Sequence, residues 1–158
     1  SDETIGFGMC QIGYYEASEA LFEAPDFRSL GAIAASALVH FFPNVAAVQV
    51  SGDELTLLAK SSPGEIGPRS AQGFEMHTEP FYGAAAEHPL GSVFLEWLGF
   101  QESPAILVVC WSLGDSFLVL VGSHEAGQDI YGDLNDVAGL FQEVETALNV
   151  LNNPATNG

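Results

Sequence analysis

The sequence predicts an α+β domain, an antiparallel β-sheet flanked by helices, and three observations carry that expectation. Apolar runs come as adjacent pairs across short polar turns: Asn44 to Val50 with Leu55 to Ala59, and Ala105 to Trp111 with Phe117 to Val121. Two longer stretches, 26–43 and 133–151, place their apolar residues three and four apart instead. Between the two pairs lies a segment dense in breakers. Strands that are neighbours in sequence pair antiparallel, and helices must then cover the faces such a sheet leaves apolar.

Residues 1–25 read as an N-terminal arm, Gly-rich and aromatic, with partial alternation from Ile5 to Ile12 and a short helix from Glu16 to Glu23 that Pro25 stops. Asp26 is placed to cap a helix whose Leu30, Ile33, Ala34, Ala37, Leu38 and Phe41 keep helical spacing up to Pro43. Ser51-Gly52-Asp53-Glu54 supplies turn chemistry for the first hairpin. From Ser61 to Glu79, Pro63, Gly64, Gly67, Pro68, Ser70 and Gly73 predict a long connection with little regular structure. Phe81 to Glu87 is expected to form a short helix closed by His88-Pro89. A second helix starts near Leu90, with Val93, Phe94, Trp97 and Leu98 on its apolar face and Gly99 as its stop. Ala105 to Trp111 is almost wholly apolar and is expected to be covered on both faces. Asp133 is placed to cap the last helix, and Asn152-Asn153-Pro154 ends it, so the domain reads as 26–152 and residues 153–158 as a tail or linker.

Composition narrows the function. A chain of 158 residues with 47% hydrophobic side chains builds a single core, but Arg28, Lys60 and Arg69 face 21 Asp and Glu, a formal charge of -18. Nucleic acid and anionic membrane surfaces are poor partners for such a surface. The acidity fits a solubility device or a salt-adapted proteome, or else a basic partner protein or a cation. Cys10 and Cys110 lack metal-ligand spacing and read as reduced thiols of a cytoplasmic protein. No run reaches the roughly 18 apolar residues of a spanning helix. Asp2 and Glu3 stand where a signal peptide would be basic.

In the C-terminal half, Trp97-Leu98-Gly99-Phe100 leads into Ser103 to Val109, followed by Phe117 to Ser123 and then by Asp133 to Leu151. In this succession the chain resembles the GAF domain family of ligand-sensing modules, and with the first helix and hairpin the resemblance covers 26–152. The resemblance implies a regulatory domain with an antiparallel sheet, of an architecture shared with PAS and profilin-like folds. The family's cyclic-nucleotide, bilin and methionine-sulfoxide signatures are absent, so no cofactor is named and an enzymatic role loses weight.

Candidate site residues follow from both readings. Phe74, Phe81, Tyr82, Phe94 and Trp97 fall in the region that covers the sheet in GAF domains. Of the four histidines, His40 falls near a helix end, where a cation is favoured; His88 reads as a loop residue and His124 as a weak candidate. His77 lies between Glu75 and Glu79 and reads as an exposed loop residue or as a haem or metal ligand. Cys110, on the central strand beside Trp111, points to the opposite face and reads as a small buried hydrophobe. Phe74, His77, Phe81, Tyr82, Trp97 and Cys110 are therefore the expected ligand-binding set. Leu134, Val137, Phe141, Val144, Leu148 and Leu151 form a stripe that fits a homodimerising helix seam or a core-packing face. The expected function is non-enzymatic sensing of a small molecule with signalling through the terminal helices; the alternatives are an acidic module for a basic protein and a small enzyme using Cys110 or His77.

Overall fold

The structure is a computed structural model, and it describes residues 6–72, 79–100, 105–124 and 134–152. Its helices are α1 (Tyr14–Leu21), α2 (Phe27–Leu38), α3 (Gly91–Leu98) and α4 (Leu134–Asn152). Its strands are β1 (Asn44–Ser51), β2 (Glu54–Lys60), β3 (Arg69–Ser70), β4 (Phe81–Gly83), β5 (Ile106–Leu113) and β6 (Ser116–Ser123). They form one antiparallel sheet in the order β3-β2-β1-β6-β5-β4. This is the α+β architecture the sequence predicts.

The two hairpins share one device. Ser51 pairs with Glu54 around Gly52-Asp53, and Leu113 with Ser116 around Gly114-Asp115. Each loop opens on a glycine with positive φ, 60° and 66°, while no non-glycine residue described has positive φ. Positive φ at the first central position alone belongs to the II′ turn, whose twist matches that of paired strands.

Side chains alternate across the sheet and fill two cores. On one face Val45, Ala47, Leu107, Val109, Leu118 and Leu120 pack under α1, α2 and α4. On the other, Ala46, Val48, Ile106, Val108, Val119 and Val121 pack under α3 and the connection that precedes it, through Leu90, Phe94, Leu98 and Phe100. Pairing slips between Ala47 and Val48, opposite Ala59 and Leu57, so Leu58 is the extra residue of a bulge and joins the α2 side.

Helix limits follow local chemistry. The Asp26 carboxylate accepts a hydrogen bond from the Ser29 backbone N–H at 2.8 Å and caps α2. Gly99, at φ 72°, takes the left-handed conformation that ends α3. The α3 start is tied by the Leu90 N–H, which donates to Nδ1 of His88 at 3.0 Å. The cap expected from Asp133 falls outside the described residues.

Two expectations change. The segment expected as a helix from Phe81 to Glu87 is the edge strand β4 followed by a 3-10 turn at Ala85–Glu87. The open edge of β5 offers Phe81 to Gly83 backbone partners at Val108 to Ile106, and two aromatic residues after Pro80 suit a strand. The expected arm is also part of the domain from residue 6 onward. Phe7 exchanges backbone hydrogen bonds with Ser62 and Lys60, and Ala17 and Leu21 of α1 are fully buried. His40 falls just past the end of α2, as expected, its backbone N–H donating to the Ala37 carbonyl, and its Nε2 donates to the Ile12 carbonyl, fastening that arm.

The α4 stripe packs inward from Val137 onward, and the side chain of Leu134 lies outside what the structure describes. Val137, Val144 and Leu148 lie in the core of this single chain, with Leu140 and Ala147 beside them, while Phe141 and Leu151 are half-buried at its margin. Of the two roles open to the stripe, core packing occupies these positions. Among the described residues no helix is long and apolar enough to cross a membrane.

Because Leu148 is only 3% exposed, Leu148→Glu removes a packed side chain and buries a charge. It is expected to destabilise the isolated chain by more than about 3 kcal/mol, not merely to separate copies of an intact fold. Far-UV circular dichroism during urea unfolding, run beside sedimentation, checks this.

Candidate functional site

Alternation along β5 decides which side chains meet α4. Val109, Trp111 and Leu113 point to the α4 side, and Val108 and Cys110 to the α3 side. Trp111 meets Phe141 of α4 edge-on, ring centroids 5.9 Å apart at 68°. β4 pairs with β5 only as far as Val108, so this part of the strand runs on beside α4 without it.

The result is a cleft of about 500 Å³ between β5 and α4. Pro80, Val109, Cys110, Trp111 and Ser112 line its sheet side, and Ala138, Phe141 and Leu148 its apolar helix wall. Gln142, Glu145, Asn149 and Asn152 add polar groups from the same helix. A volume of this size suits a small organic molecule, for which sites of roughly 300–1,000 Å³ are usual. Glu145 is the one charged residue of the lining, so the cleft disfavours an anion and offers amides and a carboxylate to a neutral or cationic guest.

The expected ligand-binding residues divide. Phe81 and Trp97 are half-buried against the α3-side core, to which Cys110 also belongs, although Cys110 is at the same time a lining residue of the β5–α4 cleft. Phe81 packs edge-on to His88, centroids 5.0 Å apart, and Trp97 donates its indole N–H to the Gly67 carbonyl at 2.9 Å. Tyr82 points the other way. Its hydroxyl lies 3.0 Å from Nε2 of His124, a buried imidazole stacked on Phe42. Phe74 and His77 lie outside the described residues.

Cys110 is a poor nucleophile. Only 2% of it is exposed, and desolvation pushes its thiol up to about 12, so it stays protonated at neutral pH. Among the described residues no group of three His, Cys, Asp or Glu side chains could hold a metal ion.

Trp111, Glu145 and the amides of α4 were not legible as a site. The signal for Trp111 existed, since strand alternation already sets it opposite Cys110. For Gln142, Glu145 and Asn149 nothing in the sequence tells which flank of α4 faces the strand. No protein-family model matches the chain, and no curated protein matches it significantly.

Thiol labelling reads this geometry directly. At pH 8 iodoacetamide is expected to modify exposed Cys10 and spare Cys110 until denaturant is added, by peptide mass spectrometry. The folded state holds the Cys110 proton more tightly than the unfolded chain, whose thiol titrates near 9.0. The stabilisation this gives is complete below pH 9 and is expected to fade as the pH rises from there towards 12. Urea midpoints of the parent and Cys110→Ala between pH 8 and 11 should converge accordingly.

Proposed function

We propose that this chain is a non-enzymatic regulatory domain of GAF-like architecture that takes a small molecule in the β5–α4 cleft and reports its presence through α4. The observation that carries the reading is that one wall of the cleft is the C-terminal helix itself. An occupant that fits one position of α4 better than another shifts the population between them, and the helix carries that shift to whatever follows or contacts it. The resemblance over 26–152 supports the same reading, as does a helix held in the core along one stripe.

A second reading rests on the cations. Lys60 turns its ammonium into its own loop, donating to the Ser62 carbonyl and hydroxyl at 3.0 Å and to the Pro63 carbonyl at 2.8 Å. Arg69 lies 3.6 Å from Glu96. With two of three cations engaged internally, the surface is acidic enough to serve as a module for a basic protein partner.

The test of the first reading fills the cleft. Ala138→Trp adds an indole from an exposed position of α4. Native mass spectrometry of the purified chain is expected to show a bound small molecule that the variant lacks. Hydrogen exchange in 137–148 is expected to quicken when the ligand is dialysed away. A bare mass for the parent, with α4 exchange unchanged by a metabolite extract, overturns the reading.

A further inference from the structure

A second cleft lies on the other flank of α4, at the mouth between α1 and the start of that helix, and it does not depend on the function proposed above. Three aromatic rings gather there. Tyr14 stands edge-on to Tyr15, centroids 5.6 Å apart at 75°, and edge-on to Phe41, 5.4 Å apart at 88°. Together with Asn135, Asp136 and Gly139 they line a space of about 360 Å³.

Core packing accounts for part of this arrangement only. Phe41 is buried and Tyr14 half-buried, but Tyr15 is 82% exposed. A ring left in water gains little from burial, so burial does not account for the place of Tyr15 at the cleft, edge-on to Tyr14.

The electrostatics of the mouth favour a positive guest. Asp136 lines the cleft, Glu16 lies in the first turn of α1, and Glu143 follows on the same flank of α4, where it accepts a hydrogen bond from the Ser18 hydroxyl of α1. The starts of α1 and α4 oppose this with roughly half a positive charge each, against three carboxylates. Tyr14 titrates above the ordinary tyrosine range, through its burial first and then through Glu143 and Asp136. No lysine or arginine lines the cleft.

Perpendicular π faces with a carboxylate beside them recognise a bulky, weakly hydrated cation better than a compact one, because methyl groups reach the ring faces without surrendering hydrogen bonds to water. We propose that this cleft binds a multiply methylated ammonium group, with Tyr14, Tyr15 and Phe41 as its walls and Asp136 as its counter-charge. A free choline-like molecule and a trimethylated lysine of a partner protein carry the same head group, and the site reads the head group.

The test is an NMR titration of the full chain with tetramethylammonium chloride, following the tyrosine ring protons. Sodium chloride at equal ionic strength is the blank, and neopentyl alcohol the uncharged isostere. Saturable shifts are expected with the cation and at least about tenfold weaker binding of the alcohol. Tyr15→Leu, at an exposed position, is expected to weaken cation binding about fivefold with an unchanged circular dichroism spectrum. Asp136→Asn should weaken it about threefold. Choline and a trimethyllysine peptide, titrated in parallel, identify the source by whichever binds tighter, and either result supports the site. No saturable shift beyond the blank, equal binding of the alcohol, or parent-like affinity in both variants overturns the proposal.

Discussion

The structure depends on one constraint: its central strands are apolar on both faces. Ala46 and Ala47 of β1, Val108 and Val109 of β5, and Leu120 and Val121 of β6 are buried in neighbouring pairs whose members point to opposite sides. Such a sheet has to be covered twice, because either face left in water exposes a row of branched side chains. The helices divide accordingly. α1, α2 and α4 cover one face, while α3, only eight residues long, covers the other with Leu90, Phe100 and the preceding connection. The breaker-rich segment is therefore part of a core, contributing Ile66 and Ala71 to it.

Covering the sheet also fixes the orientation of α4, and from that both clefts follow. Val137, Leu140, Val144 and Leu148 face inward. At about 100° per residue, Ala138, Gln142, Glu145 and Asn149 then fall on one flank and Asp136, Gly139 and Glu143 on the other. The first flank meets the part of β5 that runs past the β4 ladder, and the second meets α1 and Phe41. One helix is thus held in the core along a stripe and stands beside two openings of different character. The first mixes amides with aliphatic and aromatic walls; the second is aromatic and acidic.

The charge distribution fits this division. Burial holds the Lys60 ammonium below the ordinary lysine range, and its three acceptors are neutral oxygens of its own loop. Its role is to tie the end of β2 to the loop that also receives Phe7 of the N-terminal segment. The acidic surface is consequently little neutralised from within, and both clefts carry carboxylates and lack cations.

What the sequence by itself determined was local. The Gly-Asp turns, the Asp26 cap, the Gly99 stop and the periods of two and of three-to-four residues fixed the hairpins and the long helices, because each depends only on near neighbours. Phe81 to Gly83 escaped that reasoning, since a three-residue strand forms only where a distant edge, here β5, supplies its hydrogen bonds. The α4 stripe was legible as apolar, but whether it met a second copy or its own sheet was not, because both demand the same spacing. The site shows the same boundary. Strand alternation separates Trp111 from Cys110, yet only the tertiary structure brings Trp111 to Phe141, Tyr82 to His124 and Tyr14 to Phe41. Those meetings join residues 27 to 42 positions apart in sequence, across elements whose relative placement is set by covering both faces of one sheet.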